Sequence, residues 1–337
     1  MRIGYFGDGL WASGALERIL ALPRLRVVFV VARPSAPDPE LRQWAERIGV
    51  PFLVPRDVNA PDFLGTVKRF SPDLNVSMSF DQILGRTILE LAPLGFINCH
   101  AGALPFYRGR NVLNWALING EESFGVTVHH VDEGIDTGDV IAQRQVLIAP
   151  DDDYSTLLRK AAAVCSELLP ETLRAIESGA ASRTPQTDIH PVGSYFSRRV
   201  EGDEEIDWGL PTRQVRDFVR ALVPPAPGAR TDRAGRRLAV LKTELITGAP
   251  PYIEVPGRIL GCTPAGVVVK TGDTSLLVTQ TAWVDEDGRL SEPFVPQFGT
   301  GGRLGWSPRD RIRALERKFS DLEALCARLV AERAATL

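Results

Sequence analysis

Cysteine is scarce and scattered in this chain. Cys99, Cys165, Cys262 and Cys326 are the four present in 337 residues, and no two form a C-x-x-C pair. That argues against a disulfide framework or a zinc site and fits a reducing, cytoplasmic setting. Long apolar runs are missing too: no stretch reaches the roughly 18 apolar residues of a membrane span. Met1-Arg2-Ile3-Gly4-Tyr5-Phe6 shows no charged region ahead of a long apolar core, so no secretory signal is expected. Charge of one sign is lacking as well. The 39 Lys and Arg against 42 Asp and Glu leave −3, which argues against nucleic acid as the main partner. Of the four histidines, His129 and His130 adjoin but have no Cys or second carboxylate at ligand spacing, so no metal is expected. What the chain does have is 44% hydrophobic residues, enough for a sizeable core, and a length that suggests two domains.

The first half alternates short buried strands with amphipathic helices. Runs 2–6, 27–31, 74–78 and 95–98 read as strands; 16–22, 41–48 and 63–70 read as helices. This predicts an α/β fold, a mostly parallel sheet with helices on both faces. A helix over 111–119, strands over 125–131 and 140–148, and a long helix over 154–178 follow. Residues 180–199 lack periodicity and read as a linker. Val215, Phe218, Val219 and Leu222 then mark a short helix with Pro211 near its start. Strand-like runs at 238–245, 257–260, 267–271 and 275–281, with Gly272-Asp273 as a hairpin turn, predict a small antiparallel barrel. From Ser307, a capped helix carries Ile312, Leu315, Phe319, Leu322, Cys326 and Leu329 at heptad spacing. Such a seam either packs on its own domain or pairs two copies as a homodimer. The expected division is 1–190, with a linker at 180–200, then 201–306 and 307–337.

The chemistry concentrates at Gly95-Phe96-Ile97-Asn98-Cys99-His100 and the loop Ala101 to Arg110. Alternate residues of a strand share a face, so Asn98 and His100 point the same way, at a carboxyl end where α/β sheets carry ligands. Asp136 follows 36 positions after His100, in Glu133-Gly134-Ile135-Asp136-Thr137-Gly138. An amide donor, an imidazole and a carboxylate suit acyl transfer as oxyanion stabiliser, base and orienter. A second motif, Gly7-Asp8-Gly9-Leu10-Trp11-Ala12, follows the first strand in the manner of a dinucleotide fingerprint. The next strand ends Val31-Ala32-Arg33-Pro34, with no acid for a ribose hydroxyl, and this disfavours a nicotinamide cofactor.

Asn-x-His, Leu104-Pro105-x-x-Arg108-Gly109 and Gly134-x-Asp136-Thr137-Gly138 together resemble the N10-formyltetrahydrofolate-dependent formyltransferases. The resemblance covers 1–190 well and 200–306 more loosely. It implies a Rossmann-like sheet domain followed by an OB-like domain, with Asn98, His100 and Asp136 as the catalytic trio. It implies N10-formyltetrahydrofolate as co-substrate, without a metal, near Ser79, Gln82, Ile83 and Asp132. It places the acceptor near Arg108, Arg110, Asn111 and Trp11. The fuller wording Phe106-Tyr107-Arg108-Gly109-Arg110-Asn111 is most like the sugar branch. The expected reaction is therefore formylation of the primary amine of a nucleotide-linked amino sugar, such as a dTDP- or GDP-linked 4-amino-4,6-dideoxyhexose. Neither nucleic acid nor membrane is an expected partner. Residues 201–306 carry 12 Lys and Arg against 14 Asp and Glu, a poor tRNA surface by net charge. The alternatives are a methionyl-tRNA formyltransferase, a small diamino-acid formyltransferase and, from another class, a non-catalytic NADP-binding or oligomerisation protein.

Overall fold

Valine-rich runs bounded by polar residues lay down the first sheet. In the computed structural model, which describes residues 1–305 and 308–334, the chain divides into units Met1–Asp203 and Glu204–Leu337. The first unit opens with β1 (Arg2–Gly7), α1 (Gly9–Leu20), β2 (Arg26–Val31), α2 (Pro39–Ile48), β3 (Phe52–Leu53), α3 (Pro61–Phe70), β4 (Leu74–Met78), α4 (Arg86–Leu89) and β5 (Phe96–His100). It continues through β6 (Arg108–Gly109), α5 (Val112–Ile118), β7 (Ser123–His130), β8 (Val140–Leu147), α6 (Tyr154–Glu177), α7 (Gln186–Ile189) and β9 (Tyr195–Phe196).

The sheet order is β3-β2-β1-β4-β5-β7-β8. Strands β1 to β5 run parallel, while β7 and β8 pair antiparallel at one side. This is the expected mostly parallel α/β sheet with its helices. Phe6, Phe29, Phe63 and Phe96 interlock at its centre, Phe6 meeting Phe29 edge-on at 5.7 Å between ring centroids. Helix starts follow local chemistry. The Asp38 carboxylate accepts from the N–H groups of Glu40 and Leu41 at the head of α2. Asp153 and Thr156 form a reciprocal capping box on α6, which buries Leu157, Ala161 and Leu168.

Residues 180–199, read above as a linker, differ from that reading. They carry α7 and β9, and Gln186 is buried among loop carbonyls. Side-chain hydrogen bonds to backbone, which leave no periodic trace in a sequence, hold this segment.

The second unit holds α8 (Thr212–Ala221), β10 (Ala229–Arg233), β11 (Arg236–Leu245), β12 (Ile259–Thr263), β13 (Gly266–Lys270), β14 (Ser275–Trp283) and α9 (Pro308–Ala334). Its antiparallel sheet has the order β10-β11-β14-β13-β12, and among the described residues the end strands are not bonded to each other. This is the small antiparallel β domain expected above. Strand β10 goes unread in the sequence because Ala229-Arg230-Thr231-Asp232-Arg233 looks like a loop. The hairpin turn falls where Gly272-Asp273 predicts it. Helix α9 forms over the heptad segment; Ser307, its expected cap, lies outside the described residues, as does the side chain of Leu329. No described helix is long and apolar enough to cross a membrane.

Candidate active site

Alternation along β5 sends Ile97 and Cys99 into the core and turns Asn98 and His100 together to the other face. Antiparallel pairing with β7 sets Asn98 opposite His129 and His100 opposite Thr127. Cross-strand neighbours share a face, so His129 joins the pair. The loop after β7 then brings Asp136 back over both imidazoles. Its Oδ2 lies 3.7 Å from His100 Nδ1 and its Oδ1 lies 3.5 Å from His129 Nε2.

Hydrogen bonds to carbonyls fix the protons, because a carbonyl only accepts. His129 Nδ1 donates to the His130 carbonyl at 2.7 Å, which turns Nε2 towards both Asn98 Nδ2 at 3.3 Å and Asp136 Oδ1; unprotonated, Nε2 accepts from Asn98, and protonated it donates to Asp136. His100 Nε2 donates to the Tyr107 carbonyl at 2.7 Å. Burial alone would push the Asp136 carboxyl up. The charge of His100, the hydrogen bond from His129 and the N–H of Gly109 at 2.9 Å outweigh it and hold the group well below the usual carboxylate range.

Two glycines make this geometry fit. A Cβ on Gly102 would stand 2.5 Å from His100 Nε2 and 2.4 Å from the Tyr107 oxygen. Gly109 has φ +97°, and its Cβ would meet the Phe196 oxygen at 2.1 Å.

The cleft these residues share has a volume of about 990 Å³. Asn98, His100, His129 and Asp136 line it, together with Trp11, Ser79, Gln82, Ile83, Asp132, Arg110 and Asn111. Gln82 is turned into the fold: its amide accepts from Val58 N at 3.0 Å and donates to the Pro55 carbonyl at 3.1 Å. Ile83 is 68% exposed on the rim. Asp132 holds its own loop, accepting from Gly134 N and the Thr137 hydroxyl. Asn111 accepts from Arg199 N at 3.2 Å, and Arg110 donates to the Asp81 carbonyl at 3.1 Å. Arg33, just beyond β2, pairs with Asp8 rather than standing ready for a phosphate.

Arg108 is not brought into the cleft. Its Nε and Nη2 donate to Gln186 Oε1 at 2.9 and 2.7 Å, and its Nη1 donates to the Val192 carbonyl. Tyr107 also turns away, donating its hydroxyl to Glu121 at 2.6 Å. Burial and that carboxylate push its hydroxyl up to about 12, so it stays a donor. The residue that sequence reasoning missed is His129. Strand β7 is buried on both faces along most of its length, so polarity alternation gave no sign of which histidine faces the site.

Two family models cover the chain: formyl transferase over residues 18–173 and formyl transferase, C-terminal domain, over 200–286. A methionyl-tRNA formyltransferase of Geobacter metallireducens is 34% identical over 315 residues, which is 90% of this chain and 99% of that protein. The chain belongs to the formyl transferase family. A methionyl-tRNA formyltransferase of Anaeromyxobacter sp. strain K is 37% identical over 87% of this chain and 94% of its own length. The solved structure of WlaRD, a sugar 3N-formyl transferase, superposes with TM-score 0.64 at 19% identity, over 82% of this chain and 97% of that one. The likeness to WlaRD is one of fold alone.

This formyltransferase is therefore an enzyme that moves a formyl group from N10-formyltetrahydrofolate. The nucleotide-linked amino sugar expected above is corrected by the full-length relatives, which are methionyl-tRNA formyltransferases, and so is the exclusion of nucleic acid. The physical reason lies in the residues that carried the sugar reading. Tyr107 is taken up by Glu121 and Arg108 by Gln186, both away from the cleft, so their wording says little about the acceptor.

Proposed function

We propose that this formyltransferase acts on methionyl-tRNA, moving the formyl group to the α-amino nitrogen of the esterified methionine. The observation that carries the reading is similarity to methionyl-tRNA formyltransferases along nearly their whole length, through both units, at 34–37% identity. A shared acceptor explains likeness in the second unit, which the transfer chemistry alone does not require.

In the proposed reaction the neutral amine attacks the formyl carbon and a C–N bond forms. Charge gathers on the former carbonyl oxygen, where the Asn98 amide, fixed by His129, is the stabilising donor. The amine nitrogen then sheds a proton, N10 of the folate gains one, and the C–N10 bond breaks. His100 is the group placed to relay that proton once its Nε2–H exchanges the Tyr107 carbonyl for substrate. Asp136, held ionised at neutral pH, lies 3.7 Å from His100 Nδ1 and orients the ring.

The test is to incubate the protein with N10-formyltetrahydrofolate and charged initiator tRNA, then resolve formylated from unformylated methionyl-tRNA. Rapid formylation is expected, and His100→Ala or Asn98→Ala should lower turnover by about 10²-fold or more while the protein stays folded. Intact methionyl-tRNA after many minutes with a folate-binding, folded protein would overturn the reading.

A further inference from the structure

Helix α9 lies beyond residue 286, where the C-terminal family model stops, and it carries an apolar face that nothing described in this chain covers. Ile312, Leu315, Phe319 and Leu322 are 55%, 60%, 65% and 61% exposed, and Leu325 and Cys326 are exposed beside them. Their spacing of 3, 4 and 3 residues, continued by Cys326 after 4 more, is that of the two seam positions of a heptad. A helix presenting such a stripe to water on every turn is incomplete by itself.

We propose that α9 pairs with α9 of a second copy of this chain as a parallel, in-register two-stranded coiled coil. Three features select that occupant. The first seam position holds Ile312, Phe319 and Cys326 and the other holds Leu315 and Leu322; among these, the β-branched Ile312 followed by Leu315 is the pairing that favours two strands in parallel. Lys318 and Glu323 flank the seam five residues apart, so a parallel partner sets each Lys318 against the other copy's Glu323. An antiparallel partner instead brings the Glu316 and Glu323 flank of one helix against the same acidic flank of the other, a like-charge arrangement. Parallel pairing also sets Cys326 against its own counterpart, within reach of a disulfide, with Leu325 widening the seam beside this smaller side chain.

The experiment uses the full chain. Light scattering at tens of micromolar should return twice the chain mass, and Leu315→Glu with Leu322→Glu should return the single mass. Both side chains are more than half exposed, so the melting profile of the folded units should not move. In a Cys262→Ser background, which removes the other exposed thiol, diamide should then link two chains through Cys326. The two thiols lose two electrons and two protons, and the diamide takes them up. A wild-type mass of one chain overturns pairing. A dimer that survives the double substitution overturns this interface, and a dimer in which Cys326 fails to cross-link overturns the parallel arrangement.

Discussion

Asn98, His100 and Asp136 could be read together because three separate motifs agree in spacing, and the geometry does bring them to one cleft. His129 could not be read, since its role depends on register between β5 and β7 rather than on local pattern. Its Nε2 stands 3.3 Å from the Asn98 amide and 3.5 Å from Asp136, so under the proposed reaction it is a positioning residue. His129→Ala should cut kcat by about 10-fold or more through loss of that orientation, with a smaller effect on KM for the folate. It should also move the acid limb of the pH profile. The hydrogen bond from His129 helps depress Asp136, so its loss raises the carboxyl and activity falls off at a higher pH than in the wild type. A profile that only drops in height would assign His129 no electrostatic part. Gly102→Ala tests the other side of the site. Its Cβ at 2.5 Å from His100 Nε2 forces the hydrogen bond between His100 and the Tyr107 carbonyl open, and turnover should fall by about 10-fold or more in steady-state assays.

Among the elements, those with period and length were legible and those built by distant side chains were not. Helix α8 shows both cases. Its apolar spacing marks it in the sequence, yet its cap comes from the far hairpin: Asp273 accepts from Thr212 N at 2.8 Å and from the Thr212 hydroxyl at 2.6 Å. The same carboxylate accepts from Thr274 N, so one residue closes the β13–β14 turn and starts the helix. Burial pushes that carboxyl up, but the Thr212 side chain and backbone and the Thr274 N–H together outweigh it and bring it down to about 2. Asp273→Ala should therefore destabilise the protein by about 1 kcal/mol at neutral pH, the scale of a lost helix cap. A folded pKa below the unfolded one gives stability that is present above about 4 and fades as pH falls towards about 2. The gap between wild type and variant in denaturant titrations should narrow across that window. A gap that is constant with pH would mean the ionised cap is not its source.

For the whole molecule, net charge misled because it averages over every face. Residues 201–306 sum to −2 (12 basic, 14 acidic), but arginines crowd the β10–β11 hairpin at 230, 233, 236 and 237. Arg230 and Arg237 meet Glu204 and Glu205. Arg233 and Arg236 instead lie over the rings of Phe298 and Trp283, at 5.4 and 4.1 Å, without a carboxylate partner among the described residues. A stacked guanidinium can still offer in-plane N–H groups to phosphate oxygens; Arg236 is exposed, while Arg233 is partly buried with its Nε covered, which leaves its Nη groups for that role. A tRNA acceptor needs such a local cluster rather than a basic domain. If the proposed acceptor is right, affinity for initiator tRNA should fall steeply with salt, since each neutralised phosphate adds nearly one to the logarithmic slope. Replacing Arg233 and Arg236 by Gln should weaken binding at low salt and flatten that slope by about 2, one unit for each phosphate left without its arginine. Transfer chemistry should be untouched at saturating tRNA, because neither residue belongs to the cleft that holds Asn98 and His100. Filter binding at several salt concentrations reads the slope directly. An unchanged slope in the double variant would place the phosphate-binding groups elsewhere on the protein.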